Sequence, residues 1–62
     1  MKEYRYVNDL GEPKILEVYE PFYPDTTYHC ILWSARNGEG CGSADLTRDE
    51  LKEFLAHYGI SL

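Results

Sequence analysis

The sequence lacks any long apolar run: nothing in it approaches the roughly 18 residues of a membrane span, and the N-terminal MKEYRYVNDL has no apolar stretch of the kind found in an export signal. The expectation is a cytoplasmic chain with no membrane partner. Clustered bases are also missing. Lys2, Arg5, Lys14, Arg36, Arg48 and Lys52 lie dispersed among eleven acids, for a formal net charge of −5. A surface that tracks phosphates gathers its Lys and Arg to release counterions, so direct nucleic-acid binding is not expected. Cysteine is scarce. Cys30 and Cys41 stand alone, with no Cys-x-x-Cys pair, and a cytoplasmic setting implies two reduced thiols. No repeat, linker or low-complexity tract divides the 62 residues, which places a single domain near the lower size limit for a fold without staples.

What the chain does have is apolar and aromatic content. Apolar residues make up 44%, with six Tyr, two Phe and one Trp, a composition that disordered chains do not reach. Tyr4 to Val7 alternates and Lys14 to Tyr19 is rich in branched and aromatic residues, so both read as strands. The turn residues Asn8 to Pro13 between them make a hairpin. Thr26 to Ala35 (TTYHCILWSA) is the strongest strand signal, apolar on both faces as a central strand can be. Arg36 to Gly40 contains an Asn-Gly turn, after which a short strand over 41–44 has room to pair back.

The helix has a marked start and stop. Thr47-Arg48-Asp49-Glu50 fits the capping box, in which the Thr hydroxyl and the Glu carboxylate each satisfy a free backbone N–H. Leu51, Phe54, Leu55 and Tyr58 then form one apolar stripe, and Gly59 supplies a left-handed residue that ends the helix. The expected fold is α+β: one domain over 1–62, with a three- or four-stranded antiparallel sheet and a C-terminal helix over 47–58 on one face.

The stretch GEGCGSADLT (38–47) raises chemical alternatives. A phosphate cradle would run straight into a helix; here Ser43 to Leu46 intervene, and Asp45 and Asp49 add negative charge. Cys41-Gly42-Ser43-Ala44 is similar to the Cys-Gly-Ser/Ala-Cys of papain-like enzymes at three of four positions, in a chain far too short for that fold. A cysteine-dependent enzyme using Cys41 would draw its base from His29 or His57. A zinc-stabilised module would draw on His29, Cys30, Cys41 and His57, but adjacent strand residues such as His29 and Cys30 point to opposite faces. A disulfide is tested by register. A two-residue turn at Asn37-Gly38 sets Cys41 opposite Ser34 and Cys30 opposite Asp45, on the order of 13 Å apart. The expectation is no catalytic set, no metal and no cofactor.

The functional hint lies elsewhere. One helix covers one face of a sheet, so whichever face it meets the other keeps large apolar residues, with His29, Ile31, Trp33 and Ala35 sharing one side of the third strand, and Glu17 points to the Ile15/Tyr19 side of the second as the outer one. An exposed face of this kind marks a partner surface, a second copy of the chain included. In Glu20 to Asp25 (EPFYPD) two prolines bracket Phe22 and Tyr23 and stiffen a loop that presents aromatic anchors at low entropic cost. Glu17, Glu20 and Asp25 favour a basic partner. The expected site is Phe22, Tyr23, Tyr19, Glu17, Glu20, Asp25 and Trp33, on a non-catalytic protein-binding module that inhibits or regulates a larger basic or nucleic-acid-processing protein. A narrower form has the carboxylates mimic nucleic-acid phosphates. In size and charge alone the chain is similar to the small viral inhibitors that phages direct at host proteins.

Overall fold

The computed structural model describes all residues, Met1–Leu62. Four strands, β1 (Lys2–Val7), β2 (Pro13–Tyr19), β3 (Tyr28–Ser34) and β4 (Gly40–Leu46), precede one helix, α1 (Arg48–His57). The strands form an antiparallel meander in the order β1-β2-β3-β4. The α+β expectation therefore holds, with four strands rather than three. β4 runs further than 41–44 because its small residues pair along nearly the whole length of β3.

Burial follows the period of two. Tyr4, Leu16, Val18 and Cys30 are buried on the inner face, and Leu51 and Leu55 of α1 close over them. Tyr6, Phe54 and Tyr58 extend this core as an aromatic cluster, with Tyr6 at 5.7 Å from Phe54 and 4.3 Å from Tyr58 between ring centroids. The helix sits there because its ends are fixed. Thr47 Oγ1 accepts from the Glu50 N–H at 3.2 Å, and Glu50 Oε1 accepts from the Thr47 N–H at 2.9 Å. At the other end Gly59, at φ +74°, lets the Ile60 N–H reach Leu55 O at 2.9 Å and its own N–H reach Ala56 O at 3.0 Å, which satisfies carbonyls the helix leaves free.

The β3–β4 register differs from the one expected of a two-residue Asn-Gly turn. The connection is longer: Gly38 N–H bonds Ser34 O at 2.9 Å and Ser34 N–H bonds Glu39 O at 2.8 Å. A bulge then leaves Cys41 unpaired between the pairs Leu32–Gly42 and Trp33–Gly40. Cys30 therefore faces Ala44, not Asp45, and Cys41 does not face Ser34. A one-residue slip exchanges the two faces of a strand, so Ala44 and Leu46 turn inward while Asp45 turns outward to His29. Both thiols are free, Cys30 buried and Cys41 exposed. The Cα extents of 36 × 23 × 15 Å leave room for two layers, a sheet and the helix on it. Nothing covers the outer face.

Candidate functional site

The outer face is built from the alternate residues of the four strands. Pairing sets Glu3, Glu17, Ile31 and Ser43 in one row, Arg5, Ile15 and Trp33 in a second, and Tyr19, His29 and Asp45 in a third. None of these side chains is fully buried. The accessible surface of 4508 Å² exceeds the roughly 4,100 Å² expected of a monomer of this mass, the direction an uncovered face produces.

The polar groups of this face engage one another. Arg5 Nη2 donates to Glu3 Oε1 at 2.9 Å, the Trp33 indole N–H donates to Glu17 Oε1, and His29 Nδ1 lies 2.9 Å from Asp45 Oδ1. The Tyr19 ring lies 6.2 Å from the His29 ring. Glu3 and Glu17 stand directly opposite on neighbouring strands, an arrangement that repels. Each carboxylate is held by a different donor, Arg5 for one and Trp33 for the other. A shallow hollow of about 340 Å³ lies above this cluster, lined by Glu3, Arg5, Ile15, Glu17 and Trp33 together with Ser34 and Gly38.

At the opposite end of the sheet the β2–β3 loop projects away from the core. Phe22 is 86% and Tyr23 98% exposed, because Pro21 and Pro24 hold the chain out of the ladder. The Asp25 N–H bonds Phe22 O at 2.7 Å and closes the turn between them. Met1, Lys2, Tyr19, Glu20, Pro21 and Phe22 enclose an open hollow of about 550 Å³. The structure thus brings Tyr19, Glu20 and Phe22 together, with Tyr23 and Asp25 on the same loop. Glu17 and Trp33 form a separate cluster. Trp33 pairs with Ile15 and Tyr19 with His29, four residues along β2 and roughly 13 Å apart, with Glu17 between. The seven residues line a strip rather than a pocket. Sequence reasoning did not select Met1, Arg5, Ile15, His29 and Ile31 for it, although strand alternation places the last three on the same face.

The cysteine and histidine chemistry is dispersed. The Cys41 thiol lies 3.5 Å from Lys14 Nζ and 3.7 Å from Glu39 O, while His29 is engaged by Asp45 and His57 Nε2 lies 3.2 Å from both carboxylate oxygens of Asp9. Burial, followed by the Asp45 charge, pushes the Cys30 thiol above its ordinary pKa. Burial, then Tyr58 and Cys41, does the same to the Tyr6 phenol. No three His, Cys, Asp or Glu side chains gather as a metal site, and no helix is long and apolar enough to cross a membrane. No protein-family model, curated protein or solved structure matches the chain.

Proposed function

We propose that this chain is a non-catalytic protein-binding module that docks on a larger basic or nucleic-acid-processing protein in the cytoplasm and inhibits or regulates it. The observation that carries the reading is a sheet face with no covering layer, ending in a loop whose Phe22 and Tyr23 are almost wholly exposed. Aromatic side chains held out by a short proline-bracketed turn lose little conformational freedom on binding. Tyr and Trp are the residue types that dominate interface energetics. The face and loop carry the carboxylates Glu3, Glu17, Glu20, Asp25 and Asp45 against Arg5, with Lys2 at the margin, a balance that steers towards a positive partner.

The narrower form, carboxylates standing in for phosphates, is favoured by the opposed Glu3–Glu17 pair. Arg5 and Trp33 each hold one oxygen of the two carboxylates and fix the pair in place on the exposed face, where a partner that reads negative charge would meet it.

The test is affinity capture from the native host followed by mass spectrometry, repeated with Phe22→Ala/Tyr23→Ala. Loss of the partner by about thirty-fold or more in affinity, the size of a hot-spot effect of about 2 kcal/mol, with unchanged thermal stability, supports the reading. Equal capture by the variant rules out the loop as the docking element. Competition between the captured partner's nucleic acid and the chain separates mimicry from binding elsewhere.

A further inference from the structure

The inner face is not fully covered either. Leu51 and Leu55 close over β1 to β3, and past Phe54 an apolar groove of about 320 Å³ opens between α1 and β4, with Leu16, Cys30 and Leu32 among its lining. It stays open because β4 contributes only Gly42 and Ala44 at its centre, residues too small to reach the helix.

β4 is also an outer strand of the sheet and is exposed from Gly40 to Asp45. Every second residue of such a strand directs its N–H and C=O to solvent, here along the open side of the groove. The two edges of the sheet differ. β1 carries Lys2, Glu3 and Arg5, charges that discourage another strand from adding. The one charge of β4, Asp45, turns to the outer face and is engaged by His29.

We propose that the β4 edge and the groove beside it receive an extended, basic, amphipathic segment of another protein as a fifth strand. Main-chain hydrogen bonds to β4 supply affinity, and alternate apolar side chains occupy the space over Gly42 and Ala44, the mode in which exposed sheet edges bind peptides. Charge decides between this occupant and a second copy. At about 100° per residue, Glu50, Glu53 and His57 fall within about 100° of Phe54 on the groove side of the Leu51–Leu55 stripe, and Arg48 and Lys52 fall on the other side. Arg48 accordingly lines a separate cleft with Lys2, Tyr4 and Leu62. By this spacing Glu53 lies past Phe54 on the groove side, where the Glu50 carboxylate turns back to the Thr47 N–H, while Asp45 sits on the outer side against His29 and Lys14 lies beside Cys41 at the hairpin end. A second copy would bring a like net charge of −5 to this edge. A strand with apolar residues turned to the groove carries its Lys or Arg on the other face, beside Asp45, and its net positive charge suits a chain of net charge −5. The site lies on the opposite side of the sheet from Trp33 and does not depend on the outer-face reading, so either can fail alone.

The probe is an acetylated, amidated peptide, Lys-Val-Lys-Val-Lys-Leu-Lys, titrated into the isotope-labelled full chain and followed by amide chemical shifts and hydrogen exchange. Shifts confined to Gly42–Leu46, Leu32 and Phe54, with slowed exchange at alternate β4 amides, are expected. An isomer of the same composition without the alternation binds at least ten-fold more weakly. Ala44→Arg, at an exposed position, weakens binding at least ten-fold, and Glu53→Lys weakens it several-fold with the fold intact. Equal binding of the isomer would reduce the effect to charge alone and overturn the proposal. So would shifts on the outer face, or β4 signals that broaden with protein concentration in the absence of peptide, which would give the edge to a second copy.

Discussion

Leu55→Ala probes the dependence of this fold on its one helix. Leu51 and Leu55 are the two side chains with no accessible surface, and they seal a core of only six buried residues. Removing a buried Leu side chain costs about 2–5 kcal/mol, with the upper part of that range reached where the surroundings cannot collapse into the space. Here the sheet is held by its ladders and the helix by a capping box and a left-handed stop, so collapse is limited and about 3 kcal/mol is expected. At about 0.05–0.15 kcal/mol per residue, a chain of this length has about 3–9 kcal/mol in total. The variant therefore sits near the edge of folding. In urea, with a slope of about 1 kcal/mol per molar for so small a domain, the midpoint falls by about 3 M or the transition is lost. Circular dichroism and Trp33 fluorescence report the transition from helix and sheet. A midpoint shift below about 1 M at unchanged slope would refute the reasoning, because α1 would then not be the layer that seals the core.

Three further outcomes follow from the same structure. Thr47→Ala removes the hydroxyl that accepts from the Glu50 N–H and is expected to cost about 1 kcal/mol, read as a lower urea midpoint; no change would mean the cap is dispensable. The backbone N–H of Thr47, then its hydroxyl, holds the Glu50 carboxyl below its ordinary pKa. The contribution of this group is complete above the unfolded value of about 4.3 and is lost as pH falls through the lower folded value. Urea midpoints across that acidic range should flatten in Glu50→Gln, and an unaltered pH profile would count against the linkage. Iodoacetamide near neutral pH should label exposed Cys41 in the native chain and reach Cys30 only on unfolding, since Cys30 is buried and its thiol titrates high; equal labelling, read by mass spectrometry, would contradict the burial pattern.

The helix was legible because each of its signals is local. Thr47 with Glu50, the Leu51–Leu55 stripe and Gly59 act within a few residues of one another, and the structure places each as the pattern predicts. The two faces of β2 and β3 were also legible, since alternation is a property of the strand, but only one charge, Glu17, pointed to a solvent side, and which face meets the helix required the packing of Leu51 and Leu55 on Leu16, Val18 and Cys30. The β3–β4 register was not. An Asn-Gly pair suggests a two-residue turn, but Asn37 Oδ1 accepts from the Glu39 N–H at 3.0 Å and helps hold a longer connection. Cys41 is then extruded as a bulge. Nothing in the composition of GEGCGSADLT specifies that one-residue shift, yet it decides which of Ala44 and Asp45 faces the helix. The joining of Glu17 to Trp33, and their separation from the Phe22 loop, likewise required the pairing of β2 with β3.

The sequence by itself determined that the chain folds, that it carries a capped amphipathic helix, and that one helix would leave one face of the sheet, with large apolar and aromatic residues on it, uncovered. These are consequences of period, capping chemistry and the size of one helix against one sheet. Tertiary structure decided what depends on distance between segments far apart in the chain: the opposition of Glu3 and Glu17, the engagement of Asp45 by His29, and the groove beside β4. That groove exists because the bulge turns Gly42 and Ala44 inward, where their missing side-chain volume leaves a gap under Phe54.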